Sequence, residues 1–76
     1  MSYIFEWDAS KAELNFRKHG VTFDEATTVF GDPFGLLLPD PDHSLSEMRF
    51  LLLGTSRLQR LLVVAFAERP PRTRLI

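Results

Sequence analysis

Aromatic residues recur at every second position from Tyr3 to Trp7, the period of a short strand. Asp8 or Ser10 then N-caps a helix, Ser10 with Glu13 three residues on as a capping box. That helix runs to about His19, and Gly20 suits the left-handed position that ends it. Ala12, Phe16 and His19 share one stripe of the helix, while Lys11, Asn15 and Lys18 share a neighbouring stripe free to meet ligand or solvent. A second helix starts at Thr22, where a T-x-x-E capping box with Glu25 is bracketed by a Val21 and Ala26 staple. Phe23, Ala26 and Phe30 form its apolar stripe, and Gly31 with Asp32-Pro33 ends it, because proline cannot continue a helix and biases Asp32 away from helical backbone.

Four strand-like runs follow: Phe34 to Leu38, Met48 to Leu53, Leu61 to Ala67 and Arg72 to Ile76, separated by P-D-P-D-H-S, G-T-S-R-L-Q-R and E-R-P-P. Leu61 to Ala67 is apolar throughout, which predicts a central strand covered on both faces, whereas Arg72 to Leu75 alternates and predicts one wet face. The predicted order is β-α-α-β-β-β-β: an α+β domain in which a helical hairpin packs on a four-stranded, mostly antiparallel sheet. Trp7, Phe16, Phe23, Phe30 and Phe66 are the expected aromatic core.

Composition limits this to one domain, residues 1 to 76, with a single modest core. The absence of cysteine excludes disulfides and thiolate metal sites, and no apolar run approaches membrane-spanning length, so a cytoplasmic protein without membrane contact is the expectation. Net charge is −1 but unevenly spread. Residues 1 to 56 carry four bases against nine acids, while residues 57 to 76 carry five arginines against Glu68 alone. The basic end suits an anion, and two readings stay open there: a solvated arginine face or a polyanion site.

No nucleotide-binding, hydrolase or zinc-protease signature is present, and His19 and His43 stand too far apart in sequence to argue for a metal. Two spacings carry chemistry. Glu47 and Arg49 share a strand face, as do Arg72 and Arg74, and two arginines there repel unless an anion or carboxylate sits between them. His43 lies in a turn-forming loop, and Lys18 and His19 lie at a helix C-terminus that favours cations.

The run F-E-W-D-A-S-K-A-E-L-N-F-R-K-H-G-V-T-F-D-E-A, from Phe5 to Ala26, resembles the opening signature of the BrnT family, toxins of type II toxin-antitoxin modules. The resemblance continues through Phe30, Asp32 and Pro33, then Asp42, His43, Ser44, Glu47 and Arg49, then Gly54, Glu68, Arg69, Arg74 and Ile76. It implies a RelE-like fold and metal-independent RNA cleavage that inhibits translation, with no cofactor. Lys18, His19, His43, Glu47, Arg49 and Arg74 are then the catalytic candidates, and Lys11, Arg69 and Arg72 the RNA-binding ones. It also implies a BrnA-like ribbon-helix-helix antitoxin, with promoter DNA reached only through that partner.

Family members continue past the position of Ile76 into a basic segment and a helix. Without these, the expectation is an uncovered edge strand at Arg72 to Ile76 that favours self-association, and weak cleavage with antitoxin binding intact. Three classes therefore compete: an RNA-cleaving toxin, a catalytically weakened antitoxin-binding module, and a non-enzymatic regulatory domain.

Overall fold

The computed structural model describes residues 3–40 and 47–76. Strand β1 (Ile4–Glu6) leads into helix α1 (Ala9–His19) and helix α2 (Phe23–Thr28), which tightens into a 3-10 turn at Val29–Gly31. Strands β2 (Leu36–Pro39), β3 (Met48–Thr55), β4 (Leu61–Arg69) and β5 (Arg72–Leu75) complete the predicted element order.

Both helix starts follow the sequence. Asp8 caps α1, its carboxylate accepting from the Ser10 and Lys11 N–H groups, so Glu13 is left to pair with Arg17. Gly20 ends α1 with φ 68°, and the Thr22 hydroxyl accepts from the Glu25 N–H to open α2. The Glu25 carboxylate does not close the capping box, for reasons given below.

Three expectations are corrected. First, β1 is part of the sheet: the strand order is β1-β5-β4-β3-β2, with β1 parallel to β5 and every other pair antiparallel. Among the described residues the sheet therefore has five strands, with β5 an interior strand instead of an exposed edge and β1 and β2 at the two edges.

Second, Phe16 is not core. It is 53% exposed, because α1 turns Ala12 and Asn15 toward the protein, and the Asn15 amide donates to the Val21 carbonyl at 3.0 Å across the interhelical turn.

Third, the second face of β4 is open at Leu61 and Val63, where the sequence predicted cover. Both helices lie on the side of Leu62, Val64 and Phe66, while Leu61 and Val63 are 71% and 64% exposed on the other.

The core forms between that covered face and α2. Phe23, Ala26 and Val29 meet Leu52, Val64, Phe66 and Leu75, and Trp7 packs edge-on against Phe23. Tyr3, Phe5, Phe30, Phe50 and Phe66 extend it as an aromatic cluster on the same side. Gly54 lets the turn after α2 settle on the sheet, since a Cβ there would stand 2.9 Å from Val29 Cγ1.

Candidate nucleic-acid interface

Side chains alternate across a strand, so the register assigns the uncovered face. Arg49 pairs with Ala67, and Ala67 with Arg74; one step further, Arg69 pairs with Arg72. All four arginines therefore project from the face opposite the helices. The parallel pairing of β1 adds Glu6 beside Arg74.

These groups form an arc. Glu47 accepts from Arg49 Nε at 2.7 Å and from Arg69 Nη2 at 2.9 Å. Glu6 lies 3.3 Å from Arg74 Nη1 and 3.6 Å from Arg72 Nε. Two arginine-glutamate-arginine triads thus meet at the Arg69 and Arg72 pair and curve around Ala67, which is fully buried at their centre. Four arginines thus gather on one patch of a chain whose net charge is −1.

The Arg49 guanidinium, and after it that of Arg69, holds the Glu47 carboxyl below the ordinary glutamate range. Glu47 is therefore ionised at neutral pH, the form that can take a proton. The triads are partly exposed, so solvent screening keeps them exchangeable: an incoming phosphate offers each guanidinium the same bidentate acceptor as a carboxylate.

The sequence-predicted residues divide. Glu47, Arg49, Arg69, Arg72 and Arg74 come together in the arc. Lys11, Lys18 and His19 do not join them; they stay on exposed α1, lining a shallow groove with Asn15 and Phe23 that reaches the sheet at Ile76. His43 lies outside the described residues. The basic end also splits, because Arg57 and Arg60 sit at the opposite end of β4, by the turn that joins it to β3.

Glu6 was missed by sequence reasoning. A signal existed: Phe5 and Trp7 claim the core, which turns Glu6 outward, and the facing arginines need a carboxylate between them.

Arg60 has another partner. Its guanidinium grips the Glu25 carboxylate through Nε, at 2.9 Å, and through Nη2, and donates to the Gly20 carbonyl at 3.1 Å. The Ser56 hydroxyl donates to the same carboxylate at 2.6 Å. Glu25 is only 3% exposed, and Arg60 first, then Ser56, hold its carboxyl below the ordinary range. This cluster fastens the β3–β4 turn to both helices and explains why Glu25 leaves the capping box open. Next to it, Asp32 accepts from the Thr55 N–H at 2.8 Å, and Thr28 from the Arg57 N–H at 2.9 Å.

Among the described residues no group of three or more His, Cys, Asp or Glu is placed to hold a metal, and no helix is long and apolar enough to cross a membrane. A family model described as "Ribonuclease toxin, BrnT, of type II toxin-antitoxin system" matches residues 7–76. The chain belongs to the BrnT toxin family. BrnT membership makes the arc a candidate surface on a ribonuclease toxin, and a type II system implies an antitoxin as partner. No curated protein matches the chain closely enough to stand beside that family assignment.

Proposed function

We propose that the chain is a metal-independent endoribonuclease that holds RNA on the arc, inhibits translation in the cytoplasm and is neutralised by a BrnA-like antitoxin. The observation that carries this reading is the set of four arginines on one sheet face, each already holding an oxyanion. RNA cleavage without a metal needs a base at the 2′-OH, cations around the pentacoordinate phosphorus and an acid at the leaving oxygen. In this reading Glu47 takes the 2′-OH proton, the 2′ oxygen bonds to phosphorus, and the P–O5′ bond breaks with a proton delivered to the 5′ oxygen. Arg49, Arg69, Arg72 and Arg74 hold the phosphate and spread its developing charge.

Two imidazoles are available for the acid role. His43 is favoured over His19, since it precedes Glu47 by four positions in sequence, whereas His19 lies on α1. Lys11 and Lys18, also on α1, are left to steer the RNA strand.

The test is cleavage of a defined single-stranded RNA in excess EDTA. Activity should persist and leave 2′,3′-cyclic phosphate ends. Arg74→Gln and Glu47→Gln should each lower kcat by about a hundredfold or more, the scale typical of one electrostatic or acid-base group. Activity abolished by EDTA and restored by magnesium would refute the mechanism.

A further inference from the structure

We infer that the aromatic cleft on the helix side of the sheet is a guanine-binding subsite for single-stranded RNA, read by the Glu68 carboxylate. The cleft encloses about 340 Å³, at the lower end of the range for small-ligand sites. Val29, Leu52 and Phe66 are the buried part of its lining, and Tyr3, Phe30 and Phe50 the partly exposed part. The rings fix one another: the Phe30 centroid stands 5.1 Å from that of Tyr3, 4.9 Å from Phe5 and 5.0 Å from Phe66, and Phe50 stacks on Phe66 at 5.6 Å. Tyr3 is nonetheless 49% exposed. Ordered, partly exposed rings are what an unpaired base stacks on, and little side-chain freedom is left to lose when it does.

Two carboxylates in the same lining select the occupant, Asp32 and Glu68. Both Asp32 oxygens already accept backbone N–H groups, from Phe34 at 2.9 Å and from Thr55 at 2.8 Å. Among the described residues Glu68 accepts only from the Thr73 hydroxyl, at 3.3 Å and through Oε1. Glu68 is therefore the group left to read a ligand. A carboxylate can only accept, so it selects an edge that presents adjacent donors. Guanine sets N1–H and its 2-amino group side by side, a pair that one carboxylate takes bidentately. Adenine and cytosine place a ring acceptor beside the amino group, and uracil flanks N3–H with two carbonyls. Position ties the cleft to the arc. Glu68 immediately precedes Arg69 in β4, and Tyr3 precedes Ile4, whose partner in β5 is Arg72. Cleft and arc thus lie on opposite faces of one end of the sheet, where β4 turns into β5. An RNA strand crossing that end lays phosphates on Arg69 and Arg72 and turns one base into the cleft. The inference rests on the reading that the arc holds RNA phosphate, and it adds base selection to that reading.

The test uses the full chain and short 2′-O-methylated oligouridines that carry one central guanosine, adenosine, cytidine or inosine, with binding read by fluorescence anisotropy. The guanosine oligonucleotide should bind about tenfold or more tightly than the all-uridine one, the scale of a bidentate base contact. Inosine keeps N1–H but lacks the 2-amino group, and should fall between them. Glu68→Gln should erase the preference for guanosine. Tyr3→Leu should weaken the guanosine oligonucleotide by about fivefold or more through lost stacking. Both variants should keep the parent's circular dichroism. Equal affinity for every oligonucleotide, lost in Arg72→Gln with Arg74→Gln, overturns the inference and leaves the arc reading standing. A guanosine preference that follows Glu68 while affinity ignores the Arg72 and Arg74 pair supports the cleft and removes the arc. A preference unchanged in both Glu68→Gln and Tyr3→Leu overturns the inference, and if those variants weaken the antitoxin complex instead, the cleft belongs to a cationic side chain of that partner. Failure to bind any oligonucleotide overturns both readings.

Discussion

How many phosphates the arc engages is measurable from salt dependence, because each neutralised phosphate of a single strand contributes about −0.7 to the slope of log K against log salt. The arc offers four guanidiniums, bridged in pairs by Glu47 and Glu6. If RNA displaces Glu6 and Glu47, four phosphates are held and the slope is about −2.8; if each of these carboxylates keeps one guanidinium, two are held and the slope is about −1.4. Between about 50 and 200 mM salt these slopes correspond to affinity losses of about fiftyfold and about sevenfold. The displacement case is expected, because all four guanidiniums are partly exposed on one face and their carboxylate partners are held by solvent-screened pairs. The assay is fluorescence anisotropy with a short 2′-O-methylated RNA, which binds but lacks the attacking hydroxyl. Arg72→Gln with Arg74→Gln should reduce the slope by about 1.4, since two phosphate contacts are lost. Arg57→Gln, at the far turn, should leave it unchanged. A slope indifferent to the Arg72 and Arg74 pair, or one reduced by Arg57→Gln, would show that RNA lies elsewhere.

Further tests address the frame that holds the arc. Gly54→Ala places a methyl 2.9 Å from Val29 Cγ1 and 3.0 Å from Asp32 Oδ2. It should cost about 1–3 kcal/mol, lowering Tm by about 4–8 °C per kcal/mol for a domain of this size, as read by thermal denaturation. Combining it with Val29→Ala should cost less than the sum of the two, and additivity would show that the close approach is not the cause. The depressed carboxyls of Glu25 and Glu47 contribute stability that is fully present above the ordinary glutamate value of 4.5 and is lost as pH falls through their lower folded-state values. Acid unfolding monitored by circular dichroism should therefore steepen below about pH 4.5, and Glu25→Gln should flatten that limb while lowering Tm at pH 7. An unchanged acid limb in Glu25→Gln would remove the Arg60 clamp as its source.

What the sequence made legible was what local chemistry decides. Thr22 and Gly20 fix the helix boundaries because a cap hydroxyl and a left-handed backbone are needed within a few positions of each other. The alternation of Arg72 to Leu75 gave the two faces of β5, with Thr73 and Leu75 buried and the arginines outside. What stayed hidden depends on distant pairing. Phe16 was misplaced because a stripe defined by spacing has no fixed rotation until Asn15 finds the Val21 carbonyl. The Glu25 clamp joins residues 31 and 35 positions apart, and the capping-box pattern at Thr22 gave Glu25 a plausible local duty that concealed it.

The largest departure, the parallel pairing of β1 with β5, also has the largest consequence for function. A three-residue strand gives no signal of its partner, and its aromatic residues suggest only burial. Once it pairs with β5, the alternation that sends Phe5 into the aromatic cluster sends Glu6 out between Arg72 and Arg74. The same carboxylate that lets two like charges stand on adjacent rows of one strand keeps them extended and ready to receive an oxyanion. Interior placement of β5 has a second effect. On an edge strand, Arg72 and Arg74 would be flanked on one side only, whereas between β1 and β4 they face Arg69, Ala67 and Glu6 on both. The order of strands thus turns a scattered basic sequence into a defined arc.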